Sequence, residues 1–97
     1  MRKTYIYIVI HPKFEGWLKV GRSLNLLERL NTYQVCCPNR EFSYGYTKEL
    51  SLDKIRLVEN YFKTNIHNNG YEWFECTLEK AITIIEELLI VPQIASK

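Results

Sequence analysis

Little in this sequence announces its chemistry. Its three cysteines, Cys36, Cys37 and Cys76, are odd in number and lack a Cys-x-x-Cys spacing, so neither a disulfide framework nor a zinc site is expected. They read as reduced thiols of a cytoplasmic protein. There are 4 glycines and no glycine-rich run; Gly21-Arg22-Ser23 is far too short to cradle a phosphate. The 2 histidines, His11 and His67, assemble into no Ser/His/Asp or Cys/His set. No apolar run is long enough to span a bilayer. The start, Met-Arg-Lys-Thr-Tyr, leads into a short alternating segment rather than the apolar core of a signal peptide. Charge of one sign is also missing: 13 basic against 11 acidic side chains give a net +2, which permits a nucleic-acid partner without demanding one. Repeats, linkers and low-complexity segments are absent.

What is present is one domain's worth of amphipathic segments. At 97 residues with 46% hydrophobic side chains, residues 1–97 suit a single domain with a core of about 4–90, able to bury a real though small interior. The aromatic and β-branched content excludes a disordered chain. Thr4 to Ile10 reads as a strand, with Tyr5, Tyr7 and Val9 on one face and Ile6, Ile8 and Ile10 on the other. His11 to Gly16 reads as a hairpin loop, and Trp17 to Gly21 as the returning strand, with Lys19 sharing a face with Trp17. Asn25-Leu26-Leu27-Glu28 has the form of a capping box. The helix that follows, to about Gln34, should bury Leu26, Leu27 and Leu30 and set Arg29 and Tyr33 on one side. Glu41 to Lys48 forms a third strand with Phe42, Tyr44 and Tyr46 on one face. Ser51 or Asp53 caps a second helix with the stripe Ile55, Val58, Phe62 and Ile66. Tyr71 to Cys76 is short, aromatic and of extended character. Thr77 caps a last helix that Pro92 ends. The order β-β-α-β-α-(β)-α describes an α+β fold, a small three-stranded sheet flanked by three helices.

A few residues could carry chemistry. Glu59 falls inside the apolar stripe of its helix, where an ionised carboxylate requires a partner or a metal; the plain alternative is a glutamate at the stripe's edge that reaches water. Tyr5 and Tyr7 are either packing residues with solvated hydroxyls or, for Tyr7, a general base whose phenol a nearby Lys19 ammonium would acidify. Arg29, one turn from Tyr33, is either a solvated helix-face cation or a guanidinium that grips a phosphate oxygen.

Taken in order, Tyr5-Ile6-Tyr7, Lys19-Val20-Gly21, Arg29 in Leu-Leu-Glu-Arg-Leu, Tyr33, Glu59 and Tyr71-Glu72-Trp73-Phe74 resemble the GIY-YIG nuclease superfamily. The likeness covers about residues 4–90 and is nearest the phage and viral branch, with its Lys-Ile/Val-Gly second motif and late Glu-Trp-Phe. It implies an antiparallel three-stranded sheet flanked by helices and metal-dependent cleavage of nucleic acid. On that resemblance Tyr7 matches the proposed general base, Arg29 the catalytic arginine and Tyr33 a site residue one turn later. Glu59 matches the ligand of Mg²⁺ or Mn²⁺. Tyr5, Arg22 and Glu72 would lie along the substrate. Three positions depart from the pattern: Tyr5 stands at the first glycine, Lys19 replaces the tyrosine of the second motif, and Glu72 stands near the usual asparagine.

The expected function is therefore that of a metal-dependent DNA endonuclease, weakly specific by itself, working in the cytoplasm of a host cell if phage-encoded. The alternative is a catalytically inactive module of the same fold that binds nucleic acid or a host or phage protein. No membrane partner is expected.

Overall fold

Alternation along one strand decides the layering. The computed structural model describes residues 3–35, 37–70 and 72–90, so Cys36, Tyr71 and Pro92 lie outside it. Strand β1 (Tyr5–Ile10) is followed by β2 (Trp17–Ser23), α1 (Leu26–Gln34), β3 (Ser43–Glu49), α2 (Leu52–Asn65), β4 (Trp73–Glu75) and α3 (Leu78–Ile90). Ile6 and Ile8 point into a core completed by Leu18, Ile55, Val58, Phe62, Phe74, Ala81 and Ile85. That face of the sheet therefore carries α2 and α3. Tyr7, one residue out of phase, turns to the opposite face and meets α1 through Tyr33. Burial of Ile6, Tyr7, Ile8 and Val9 alike marks β1 as an interior strand.

The sheet order is β3-β1-β2-β4, with every pair antiparallel. The α+β class and the three helices are as expected, but the sheet has a fourth strand. Trp73–Glu75 pairs with Trp17–Lys19. Phe74 lies opposite Leu18 and packs edge-to-face on Phe62, with centroids 5.5 Å apart, so the apolar member of this short segment reaches the core. Trp73 is left beside Lys19 on the α1 side.

The expectation that Phe42, Tyr44 and Tyr46 share one face is corrected by a β-bulge. Ile8 pairs with Tyr46 but Val9 with Tyr44, so Gly45 is an extra residue and the alternation slips there. Tyr44 packs against Tyr7, while Tyr46 crosses over to join the core and donate a hydrogen bond to Glu86 of α3. A β-carbon on Gly45 would lie 2.7 Å from Leu78 Cδ1, so the bare backbone lets α3 close on the bulge.

Helix starts follow local chemistry. Asn25 Oδ1 accepts the Glu28 amide at 3.0 Å, and Ser23 Oγ accepts the Asn25 amide at 3.0 Å, so the serine takes the donor that a full capping box leaves to the glutamate. Ser51 and Thr77 cap α2 and α3 through the Lys54 and Lys80 amides. Leu27, expected to be buried, is 71% exposed. A helix of 9 residues lays one stripe on the sheet, and Leu26, Leu30 and Tyr33 occupy it at i, i+4 and i+7; Leu27 lies off that stripe. The other end of α1 is tied down by Gln34, whose amide exchanges hydrogen bonds with the Phe42 backbone at 2.8 and 3.1 Å. No helix among the described residues is long and apolar enough to cross a membrane.

Candidate active site

The α1 face of the sheet gathers three phenols. Tyr7, on the central strand, is 3% exposed, and its hydroxyl lies 2.8 Å from that of Tyr33. Tyr44, brought to this face by the bulge, packs its ring 5.4 Å from that of Tyr7 and donates to the Leu26 carbonyl at 2.6 Å. The Tyr7 side chain lies across β2 directly over Gly21. A β-carbon there would come within 2.6 Å of the Tyr7 hydroxyl oxygen, so any larger residue would push the phenol off its partner.

Burial pushes the Tyr7 phenol up from its usual value of 10.0. The Tyr33 hydrogen bond and the Arg29 charge oppose that shift, while Glu72 and Glu59 add to it. Tyr33 is pushed up much further, first by burial and then by its bond to Tyr7. The two phenols titrate as a coupled pair, both displaced upward by burial, and either hydroxyl can be the donor between them. Tyr44 rises to about 12 through burial, with Arg29 opposing. One guanidinium therefore bears on all three hydroxyls. Arg29 itself lines a hollow of about 340 Å³ with Ser23, Asn25 and Thr32, open to a ligand.

Lys19 has close partners other than Tyr7. Its ammonium stands 4.6 Å from the centre of the Tyr33 ring and 5.2 Å from that of Trp73, and pairs with Glu72 at 3.6 Å. The cation that opposes the upward shift of Tyr7 is Arg29, and the net displacement is away from neutrality. The two departures from the motif pattern, Lys19 and Glu72, thus compensate each other's charge. Glu59 comes from α2 and pairs with Arg22 at 3.9 Å, its side chain 23% exposed. By register Arg22 faces the same way as Ile6, but β4 pairs only with Trp17–Lys19, so at Gly21–Ser23 β2 is an open edge among the described residues, where the carboxylate's field reaches the Tyr7 hydroxyl lying over Gly21. Tyr5 is half-buried on Tyr7's face, opposite Ser23 and Glu49.

A second cluster escaped the sequence. His11 Nε2 lies 3.5 Å from Cys37 Sγ and 3.7 Å from Glu41 Oε1, and these three side chains form the one potential metal-holding group among the described residues. Their hydrogen bonds argue against a metal. His11 Nδ1 accepts the Lys13 amide at 3.1 Å, which assigns the ring proton to Nε2. A metal on Nε2 needs the proton on Nδ1, where the Lys13 N–H opposes it. The cluster instead closes the hairpin loop: Nε2–H points to the thiol and carboxylate, and the Glu41 amide donates to Cys37 Sγ at 3.3 Å. Only tertiary folding joins residues so far apart, so no spacing signal could have revealed it.

The buried phenols carry a stability consequence. Their folded-state values exceed the unfolded 10.0, so above that pH the unfolded chain has released protons that the native one keeps. Stability is therefore full below pH 10 and is lost as pH rises from 10 towards 12 and beyond. Thermal melts followed by circular dichroism across that window should show a steep fall that is shallower in Tyr33→Phe. A wild-type midpoint that stays level through it would contradict the assignment.

The family model of the T5orf172 domain matches residues 4–89. No curated protein and no solved structure matches the chain.

Proposed function

The chain belongs to the T5orf172 domain family, and from that premise we propose that it is a phage-type, nuclease-related domain that hydrolyses DNA phosphodiester bonds by GIY-YIG-like chemistry with Mg²⁺ or Mn²⁺. The observation that carries this reading is the Tyr7–Tyr33 hydroxyl pair under the field of Arg29. In its phenolate form the Tyr7 oxygen takes the proton of an attacking water and becomes the neutral phenol, which later releases that proton to solvent; Tyr33 donates a hydrogen bond that steadies the phenolate beforehand. Arg29 grips the phosphate oxygens and offsets the charge that grows on them. The leaving oxygen takes its proton from solvent. Lys19, held over Tyr33, and Arg22, both on β2, position the DNA through its phosphates.

Glu59 is the residue that would hold the cation. A single, mostly buried carboxylate whose present partner is the half-exposed Arg22 suits Mg²⁺, which keeps several waters and shares phosphate oxygens. When bound, such a cation supplies charge neutralisation at the phosphate.

The test is a plasmid-cleavage assay with Mg²⁺ or Mn²⁺. Cleavage should stop in EDTA and fall at least about a hundredfold in Glu59→Gln. Equal rates in wild type and Glu59→Gln would remove Glu59 from the reaction. A second reading is a catalytically inactive module that binds nucleic acid or a host protein. One observation favours it: the Tyr7 phenol is displaced upward, away from the range of an efficient base at neutral pH. Binding of DNA without cleavage under either metal would select it.

A further inference from the structure

Beside the phenols, the same sheet face carries an aromatic wall that the proposed chemistry does not use. Phe14, at the tip of the hairpin loop, is 43% exposed. Its ring stacks on His11 at 4.5 Å and meets Trp73 edge-to-face at 5.4 Å. Trp73 in turn faces Phe42 at 6.4 Å with the planes tilted by 34°. A hollow lies on each side of the Phe14–Trp73 pair. One, of about 400 Å³, continues to Trp17; the other, of about 540 Å³, continues to Phe42 and Tyr33. Both fall within the roughly 300–1,000 Å³ of small-ligand sites. Lys13 lines both hollows, and Lys19 stands where the larger one meets Tyr33.

Half-exposed aromatic rings with Lys13 and Lys19 at the rims, beside Glu15 and Glu41, match unpaired nucleotides. A base stacks on a ring through its own π-face, and its phosphates find the lysines. Paired bases in a duplex cannot do this, because both their faces are covered by neighbours. Because Tyr33 and Lys19 belong to the larger hollow and to the phenol cluster at once, a strand seated on the wall runs directly into the catalytic residues.

We propose that the Phe14–Trp73 wall, with Lys13 and Lys19, seats two successive unpaired DNA nucleotides next to the phosphate held by Arg29. The domain would then select single-stranded or locally opened DNA. This rests on the nuclease reading for the identity of the strand, but its test does not depend on cleavage.

Binding is measured in EDTA, with the Tyr7→Phe chain, by fluorescence anisotropy of a labelled oligothymidylate and of a blunt duplex of equal length. The single strand should bind more tightly than the duplex. It should also quench tryptophan emission, since Trp73 is one of only 2 tryptophans. Phe14→Ala and Trp73→Ala should each weaken single-strand binding about tenfold and leave duplex binding unchanged, while Trp73→Phe keeps most of the affinity. Circular dichroism melts check that each variant is folded; Phe14, at an exposed loop tip, is the variant least exposed to that concern. Several outcomes would overturn the proposal: equal affinity for single strand and duplex, wild-type single-strand affinity in Phe14→Ala, equal losses on both ligands, or binding of an oligouridylate RNA but not of DNA. Loss of cleavage in wild type, with this binding pattern intact, would sink the nuclease reading and spare the docking site.

Discussion

Tyr7→Phe is expected to slow DNA cleavage by about 10²–10⁴-fold, the usual contribution of a positioned proton acceptor, with little change in DNA affinity. The removed hydroxyl is buried against Gly21 and bonded to Tyr33, so a ligand loses almost no contact area. The pH dependence makes the prediction sharper. Burial holds the Tyr7 phenol above 10.0, so its phenolate is scarce at neutral pH. The wild-type rate should climb with pH towards that value, until the alkaline loss of stability intervenes, and the residual rate of Tyr7→Phe should be flat. Tyr33→Phe removes the bond that eases Tyr7 ionisation; it should move the rising limb to still higher pH. Single-turnover rates on a supercoiled plasmid across the alkaline range read both effects. A Tyr7→Phe variant that cleaves at the wild-type rate, or a wild-type rate already level near neutrality, would exclude Tyr7 as the proton acceptor.

Phe62→Ala should bring the fold close to collapse. Phe62 is fully buried, belongs to the cluster that joins the sheet to α2 and α3, and packs edge-to-face on Phe74. Truncating a buried phenylalanine costs about 3–5 kcal/mol through lost transfer energy and the cavity left behind. A small domain typically holds only about 5–15 kcal/mol in all. Because Phe74 belongs to the short β4, the cavity should also loosen that edge strand and with it Trp73. Urea unfolding should show a midpoint lowered by much of its value, and single-strand DNA binding should weaken in parallel. A loss below about 1 kcal/mol, the scale of an ordinary surface change, would show that the core repacks around the gap.

What the sequence determined by itself is mostly local. Ile6 and Ile8 alternate with Tyr7, so the two faces of β1 were assigned correctly. Asn25, Ser51 and Thr77 mark helix starts because a side-chain oxygen at that position satisfies an orphan amide. Ile55, Val58 and Phe62 recur at helical spacing and all enter the core. These signals need only neighbours along the chain. Tyr7, Tyr33 and Arg29 could also be singled out beforehand, since strand and helix periods set which way each points.

Other features depend on what meets what across long loops, and only the tertiary structure decided them. Trp73–Glu75 becomes a fourth strand because β2 offers an open edge and Phe74 finds Leu18 and Phe62. Tyr44 and Tyr46 part company because a bulge at Gly45 breaks the period of two. Leu27 stays in water because a short helix can lay only one stripe on a sheet. Lys19 joins Glu72 and the Tyr33 and Trp73 rings rather than Tyr7, since a flexible ammonium goes to whatever anion and π-face the fold sets beside it. Cys37 and Glu41 close on His11 for the same reason. Periodicity specifies the direction in which a side chain leaves the backbone; the partner it finds is fixed by packing and Coulomb interactions between elements distant in sequence.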